Sequence, residues 1–376
     1  MPREYNYNFV KNNHNRLHLT LYIRLIFVYN VSMFHPKYTI TNKLLANIKH
    51  ITALVNKMNL WRFPELVLVE LQKDAEAVSA FASTSIEGNP LPLTDVKRIL
   101  KSRPVQIRES EQEVLNYNQA LQEVNTQLNK GKISFNLPLI LSLQKKIINN
   151  LLPAHQSGKV RTQPVFVNNP RLDKTIYWPP DAQDALPLME DLIEFIQTNR
   201  QTIDPLIVAG IFHKQMVIIH PFMDGNGRTT RLTTKILLAQ MGLDTFHLFS
   251  FENYYNNNVS KYFEMVGVKG NYYDLVNLID FTEWLEYFTD GIIDELLRVE
   301  KTVSHLFINP QNNLKSHHQI ILQVIQKKGF MSDSEYAKLT KRARATRYLD
   351  FQKLISLGLI EPKGKGKSTY YVLKGK

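Results

Sequence analysis

Apolar positions recur at helical spacing through most of this chain. Between Thr41 and Leu71, residues Leu44, Leu45, Ile48, Ile51, Leu54 and Val55 form one stripe, the pattern of helices packed on a core. Residues 92–156 continue in the same manner, with breaks expected near Pro104 and Pro138, an acidic cluster Glu109, Glu111 and Glu113 that reads as solvated surface, and an apolar packing helix over 139–152. An amphipathic helix is expected over 181–197, with Leu188, Leu192 and Phe195 on its apolar side. Asp204-Pro205 opens a further helix. Its near-continuous apolar run into His220 marks it as buried, and His213 on it reads as a core or helix-face histidine. The period changes to two only between Gly158 and Pro180. There residues 160–167 alternate as a short strand, Asn168-Asn169-Pro170 reads as a turn, and Thr175 to Trp178 form the returning strand. Residues 250–266 carry Tyr254, Tyr255, Tyr262 and Phe263, a spacing that usually means core packing. The predicted fold class is mainly α, with one small β-hairpin.

The last fifth of the chain reads as a module of its own. Helices are expected over 317–328 and 332–339, and a third opens at the basic run Lys341 to Arg347 and ends near Gly358. Two short β-like stretches, 359–362 and 368–373, flank Gly364-Lys365-Gly366-Lys367 as a hairpin. Three helices and a basic hairpin resemble a winged helix, whose third helix enters a DNA groove while the wing tracks phosphate. Arg342, Arg344, Arg347, Lys365 and Lys367 are the candidate DNA contacts.

Charge sharpens this division. The chain of 376 residues carries a formal net charge of +12. From Lys301 onward there are 15 Lys and Arg against 4 Asp and Glu, so nearly all the surplus lies in the tail. Such an asymmetry points to an acidic partner. The absence of cysteine excludes disulfides and thiolate metal sites. At the other end, residues 1–32 are rich in Asn and Tyr. Their apolar run from Leu19 to Val31, interrupted by Arg24, is too short for a membrane span, and no cleavage signature follows it. A start assigned upstream of Met33 is the leading reading of that extension and a membrane-surface arm the lesser one, and a cytoplasmic protein is expected.

The densest chemistry lies in His220-Pro221-Phe222-Met223-Asp224-Gly225-Asn226-Gly227-Arg228-Thr229-Thr230-Arg231. Pro221 biases His220 away from α geometry, ending the preceding helix. Gly225, Asn226 and Gly227 are residue types that tolerate positive φ, so the loop can turn successive N–H groups inward as an anion nest. A new helix follows, and its positive end faces the same loop. Arg228 and Arg231 are three apart, on one face, suited to a shared anion. Asp224 suits Mg²⁺, which takes one or two carboxylates and phosphate oxygens, and His220 is a base near neutrality. Each residue alone reads as structural. Together, at this spacing, they describe phosphoryl or nucleotidyl transfer.

This stretch resembles the signature of the Fic (Fido) family, H-P-F-x-[DE]-G-N-G-R-x-x-R, at every defined position, and the resemblance extends over roughly residues 33–376. It implies a Fic-type helical domain in which ATP·Mg²⁺ is bound by Gly225, Asn226, Gly227, Arg228, Thr229, Thr230 and Arg231, with Asp224 holding the metal. His220 would deprotonate a Ser, Thr or Tyr hydroxyl on a target protein, or on this chain, and AMP would be transferred to it. Ser83-Thr84-Ser85-Ile86-Glu87-Gly88 resembles the family's inhibitory pattern, [S/T]-x-x-x-E-[G/N], so Glu87 with Ser83 would occupy Arg231 in place of the γ-phosphate. The hairpin resembles the family's flap, with Val167 and Asn168 beside the nucleotide and a target docked by strand addition. Asn168 departs from the usual glycine. Tyr262 matches one of an aromatic pair that flanks adenine, with Phe263 in place of the commoner tyrosine.

The implied organisation is an extension over 1–32, a helical region over 33–150 with the inhibitory helix near 75–90, a catalytic core over 151–300, and the winged helix over 310–376. Three alternatives stay open at this point. The site removes AMP through a water held by Glu87, it transfers another group, or the chain is a DNA-binding regulator whose site senses nucleotide. The target and the oligomeric state, monomer or homo-oligomer, are not specified by the residues.

Overall fold

The computed structural model describes residues 34–61, 65–131, 133–169, 174–240, 242–243, 247–303, 314–357, 359–364 and 366–373. Helices dominate, as the periodicity predicts. Among the described residues the first helix is α1 (Asn42–Asn59), whose N-cap Thr41 accepts from the Leu44 N–H at 3.1 Å. The chain continues through α2 (Glu65–Ile86), α3 (Leu93–Lys101), α4 (Glu109–Asn129) and α5 (Leu137–Ile147). Pro138 lies in the first turn of α5, so it starts a helix where the sequence suggested a break.

The hairpin comes next, as β1 (Val167–Asn169) and β2 (Lys174–Trp178). It differs in detail from the sequence expectation. Residues 160–166 are not strand, and Asn168 and Asn169 are strand, opposite Thr175 and Lys174. The expected turn residue Pro170 lies outside the described residues. Then follow α6 (Ala182–Asn199), α7 (Pro205–Ile219), α8 (Asn226–Gln240), α9 (Glu252–Asn257), α10 (Val259–Val266), β3 (Gly270–Asn271), α11 (Tyr272–Leu275) and α12 (Thr282–Val303). β3 pairs in parallel with β2, giving a small sheet of order β1-β2-β3.

The central element is α7. Asp204 caps it, accepting from the Leu206 N–H at 2.9 Å, with Pro205 at its start. Every residue from Leu206 to Ile219 except Val217 is buried. A helix apolar all round belongs inside a domain, and α7 packs on α6, α8 and α12 within the main core. A second core joins α2 to α5 with Leu232 and Ile236 of α8. The loop between α7 and α8 is thus held from both sides by buried helices. No helix among the described residues is long and apolar enough to cross a membrane. The run from Leu19 to Val31 lies outside them.

Residues 314–373 have their own core, built on Ile321, Tyr336, Phe351 and Tyr371. The element order is α13 (Ser316–Lys328), β4 (Met331–Ser332), α14 (Asp333–Leu339), α15 (Arg344–Ser356), β5 (Ile360–Lys363) and β6 (Tyr370–Leu373). The strands form an antiparallel sheet of order β4-β6-β5.

Candidate active site

The helix α7 ends at His220, which adopts φ 49° and ψ 59°. Pro221 was expected to push His220 out of the α region, and it does, but into the left-handed region rather than an extended one. For a non-glycine residue such a conformation costs about 1–3 kcal/mol and persists only where the surroundings hold it. His220 Nδ1 lies 3.3 Å from the Val217 carbonyl, which assigns the proton to Nδ1 and leaves Nε2 as the basic nitrogen. Burial pushes the pKa of His220 below its ordinary 6.5. The charge of Arg161 works in the same direction, while the Val217 carbonyl, Glu87 and Asp224 work against it. The imidazole is therefore neutral and ready to accept a proton at neutral pH.

The loop after His220 is braced from within. Asn226 Oδ1 accepts from the Phe222 N–H at 2.9 Å, and Asn226 Nδ2 donates to the Phe222 carbonyl at 2.8 Å. Its side chain shapes the loop instead of facing an anion. Gly225 takes φ +78°, which the glycine permits. Gly227 is needed for a different reason from the one the sequence suggested. It sits in the first turn of α8 with ordinary φ, and a Cβ there would run into the Glu87 carboxylate.

Arg231 is wholly buried. Its Nε donates to Ser83 Oγ at 2.9 Å, and its Nη2 donates to the Ser83 carbonyl and to Glu87 Oε1, both at 2.7 Å. The Glu87 carboxylate holds Arg231 charged against the penalty of burial. The sequence pairing of Ser83 and Glu87 with Arg231 is therefore present as geometry, with α2 delivering both. Arg228, 3% exposed, donates to both Asp224 oxygens at 3.0 and 3.2 Å and stands 3.2 Å from Glu113 Oε1. Besides Arg228 Nη1, which is ion-paired with Glu113, four buried polar atoms at this helix start have no hydrogen-bond partner: Arg228 Nε, Thr229 Oγ1, Thr230 Oγ1 and Arg231 Nη1. Buried donors are rarely left unsatisfied, and a cluster of them at a helix N-terminus fits an anionic ligand. Asp224, with nearly half its side chain exposed, carries the one carboxylate of the motif.

Three expectations need correction or qualification. Tyr262 is a core residue, 1% exposed, stacked on Tyr255 with centroids 4.8 Å apart and bonded through its hydroxyl to His213 Nε2 at 2.9 Å. Its ring is thus not presented to an adenine, and the exposed member of the pair is Phe263. Glu109, Glu111 and Glu113 do not form a uniformly solvated cluster. Glu111 is buried and caps α4 with Arg108, and Glu113 reaches Asn89 and Arg228. In the tail, Arg342 makes a two-pronged bond to the buried Asp350 at 2.7 and 3.0 Å. Arg347 makes another to Asp333 at 2.8 and 2.9 Å. Both arginines brace the module and are not held out for DNA, whereas Arg344 is exposed. Lys365 and the Lys367 side chain lie outside what the structure describes. Of the hairpin pair, Asn168 Oδ1 accepts from Thr175 Oγ1 at 2.8 Å across the strands, and Val167 packs partly into the small core with Tyr177.

Sequence reasoning missed the residues that frame the motif from a distance. Gln144, fully buried, donates to the Asp224 carbonyl at 3.1 Å and accepts from the Gly158 N–H at 2.7 Å. Tyr117, also fully buried, donates to Glu252 at 2.8 Å, and Ser79 on α2 donates to the same oxygen at 3.0 Å. Glu252 thereby anchors the helix that carries Glu87. Their only sequence signal is a polar residue inside an apolar helical stripe.

With this geometry in place, the likeness to known proteins can be set beside it. Residues 134–238 match the model of the Fic/DOC family. Over 181 residues the chain is 29% identical to the protein adenylyltransferase fic-1 of Caenorhabditis elegans, a match covering 46% of this chain and 34% of that protein. Over 175 residues it is 30% identical to the protein adenylyltransferase Fic of Drosophila melanogaster, again covering 46% and 34%. The chain thus spans about a third of the length of these curated relatives. Among solved structures, a Fic family protein from Desulfovibrio desulfuricans aligns with a TM-score of 0.60 at 19% identity, covering 91% of this chain and 99% of that one. Residues 134–508 of Fic-1 from C. elegans align with a TM-score of 0.55 at 20% identity, covering 70% and 73%. At these identities the structural likeness is one of fold.

Proposed function

We propose that this chain, whose residues 134–238 match the Fic/DOC family, is a protein adenylyltransferase held in check by Glu87. The observation that carries this reading is the buried Arg231, shared between Ser83 and Glu87, on a helix start where buried polar atoms of Arg228, Thr229, Thr230 and Arg231 have no hydrogen-bond partner. ATP is the donor, and a hydroxyl on a protein is the acceptor. The hydroxyl oxygen forms a bond to the α-phosphorus while the bond from that phosphorus to the bridging oxygen of pyrophosphate breaks. The hydroxyl proton passes to His220 Nε2, and the bond electrons leave with pyrophosphate. Arg228, Arg231 and the start of α8 hold the phosphate charge, so catalysis is mostly positioning and neutralisation.

The donor set also fits Mg²⁺, because Asp224 offers an exposed carboxylate next to the phosphate-binding helix start. When bound there, the ion would neutralise phosphate oxygens. The test is label transfer from ATP labelled at the α-phosphate, comparing the native chain, Glu87→Gly and Glu87→Gly/His220→Ala. Label that appears with Glu87→Gly and vanishes with the double variant supports the reading. Blank lanes from a protein that still binds ATP would overturn it. Loss of AMP removal in Glu87→Gly would favour a hydrolytic role instead.

An acid limb in the rate profile follows from the depressed pKa of His220. The base works unprotonated, so transfer by Glu87→Gly falls as pH drops through that pKa, which lies below the ordinary value of 6.5. A plot of kcat against pH checks this. A limb centred above about 6.5 would contradict it.

For residues 314–373 we read a winged helix, supported by the element order and by the basic surplus of the tail. Arg344 is then the arginine offered to a nucleic acid, and Arg342 belongs to the scaffold. Arg342→Ala strips the buried Asp350 of its two-pronged partner and should destabilise the module by about 1–3 kcal/mol, allowing for the partial exposure of the arginine. Arg344→Ala should leave stability unchanged and weaken DNA binding at low salt. Chemical denaturation and a gel shift on the full chain read the two effects separately.

A further inference from the structure

A helix leaves its last carbonyls without partners inside the helix, and α7 ends in the interior on a residue of left-handed conformation. His220 itself takes up the Met216 and Val217 carbonyls, and side chains outside the motif take up the next two. Tyr177 of β2 donates its hydroxyl to the Ile218 carbonyl at 2.8 Å. Arg161 takes up Ile219 and the main-chain carbonyls just beyond the helix. Its N–H donates to the Pro221 carbonyl and its Nε to the His220 carbonyl, both at 2.8 Å. Its Nη2 donates to the Ile219 carbonyl at 3.5 Å and to the Pro180 carbonyl, and its Nη1 donates to the Gln163 carbonyl at 3.3 Å. All three side-chain nitrogens of this buried arginine are spent on main-chain carbonyls.

We infer that Arg161 is a positioning residue for His220: its planar fork clamps the main chain on both sides of the α7 end, presents the imidazole from a left-handed residue, and ties that placement to Pro180 at the foot of the hairpin. The rigid guanidinium is suited to this, since it spans carbonyls of two separate segments with fixed donor directions. A lysine ammonium in the same place could reach only part of the set. Tyr177 and Arg161 together make the hairpin and the catalytic loop one rigid piece. A shift of β2 is therefore felt at the base.

The kinetic arm of the test rests on the adenylyl-transfer reading, and the spectroscopic arm does not. On the Glu87→Gly background, Arg161→Gln should lower kcat about 100-fold, the scale of a 1 Å misplacement, with KM for ATP within about twofold of the parent. Arg161→Lys should fall in the same direction, because the fork is lost although the charge stays. NMR of isotope-labelled histidine reads the ring directly. Around His220 the charged groups are Glu87, Arg161 and Asp224. Arg161→Gln should displace the His220 ring signals and move their titration midpoint upward as a cation is removed. Arg161→Lys should displace the signals and leave the midpoint near that of the parent.

A residue that merely stabilised the fold would lower the melting temperature and leave kcat per folded molecule and the ring signals where they were. That outcome, in a folded sample of either variant, overturns the inference. If the Glu87→Gly parent transfers no label, the adenylyl-transfer reading fails by itself, and the ring signals alone decide the role of Arg161.

Discussion

On a Glu87→Gly background, His220→Ala should lower the proposed AMP transfer by about 100- to 10,000-fold, the usual loss when a general base is removed. The size follows from how little else in the site can take the proton. Asp224 is engaged by Arg228 and by the Gly225 N–H, and Glu87 is absent in that background. Burial keeps the imidazole neutral, and its contact with the Val217 carbonyl assigns the free nitrogen to Nε2. ATP binding should survive, because the phosphate-binding groups lie on α8 and not on His220. Single-turnover transfer with excess enzyme, read beside ATP titration, separates chemistry from binding. A double variant that transfers label as fast as its parent would remove His220 from the mechanism.

Glu87→Gly alone should raise transfer by about 10- to 150-fold. A charge-assisted hydrogen bond to a buried group is worth about 1.5–3 kcal/mol, and that energy is what ATP must displace to place its phosphates on Arg231. The bond at stake is the 2.7 Å contact between Glu87 Oε1 and Arg231 Nη2. The carboxylate also covers Gly227, so its removal opens the face of α8 toward which the unpartnered Arg231 nitrogen lies. Arg231 itself should stay in place, since Ser83 holds it through both its hydroxyl and its carbonyl. Label transfer and ATP-dependent thermal shift measure the two consequences. Equal rates in the native chain and in Glu87→Gly, with ATP bound in both, would show that Glu87 is not the brake.

Much of the site was legible because its chemistry is contiguous. The residues from His220 to Arg231 are within twelve positions of one another, and the α7 end, the glycine turn and the α8 start are local consequences of Pro221, Gly225 and helix periodicity. Glu87 could be read as well, because its motif is local even though its partner is 144 positions away. The helices of the fold followed from apolar spacing for the same reason. Their ends shifted by a few residues, as at Ile147, where a helix expected to reach 152 stops, and at Arg344, where a helix expected from 341 begins.

What tertiary structure decided are the roles of residues whose partners are remote. Arg161 meets His220 across 59 positions, Gln144 meets Asp224 across 80, and Tyr117 meets Glu252 across 135. Each appears in the sequence as one polar residue with no local pattern to mark it. Arg342 and Arg347 show the opposite error, since a basic run looks solvated until Asp350 and Asp333 are seen beside it. Tyr262 is the same case among aromatics, because spacing gives its helical face but not which neighbours cover that face. The sequence by itself determined the secondary structure and the chemical identity of the motif, because hydrogen bonding along a helix and the turn after it are short-range. Only the packed chain determined which charges are spent on each other and which remain for a ligand, because burial and pairing depend on segments that come together after folding.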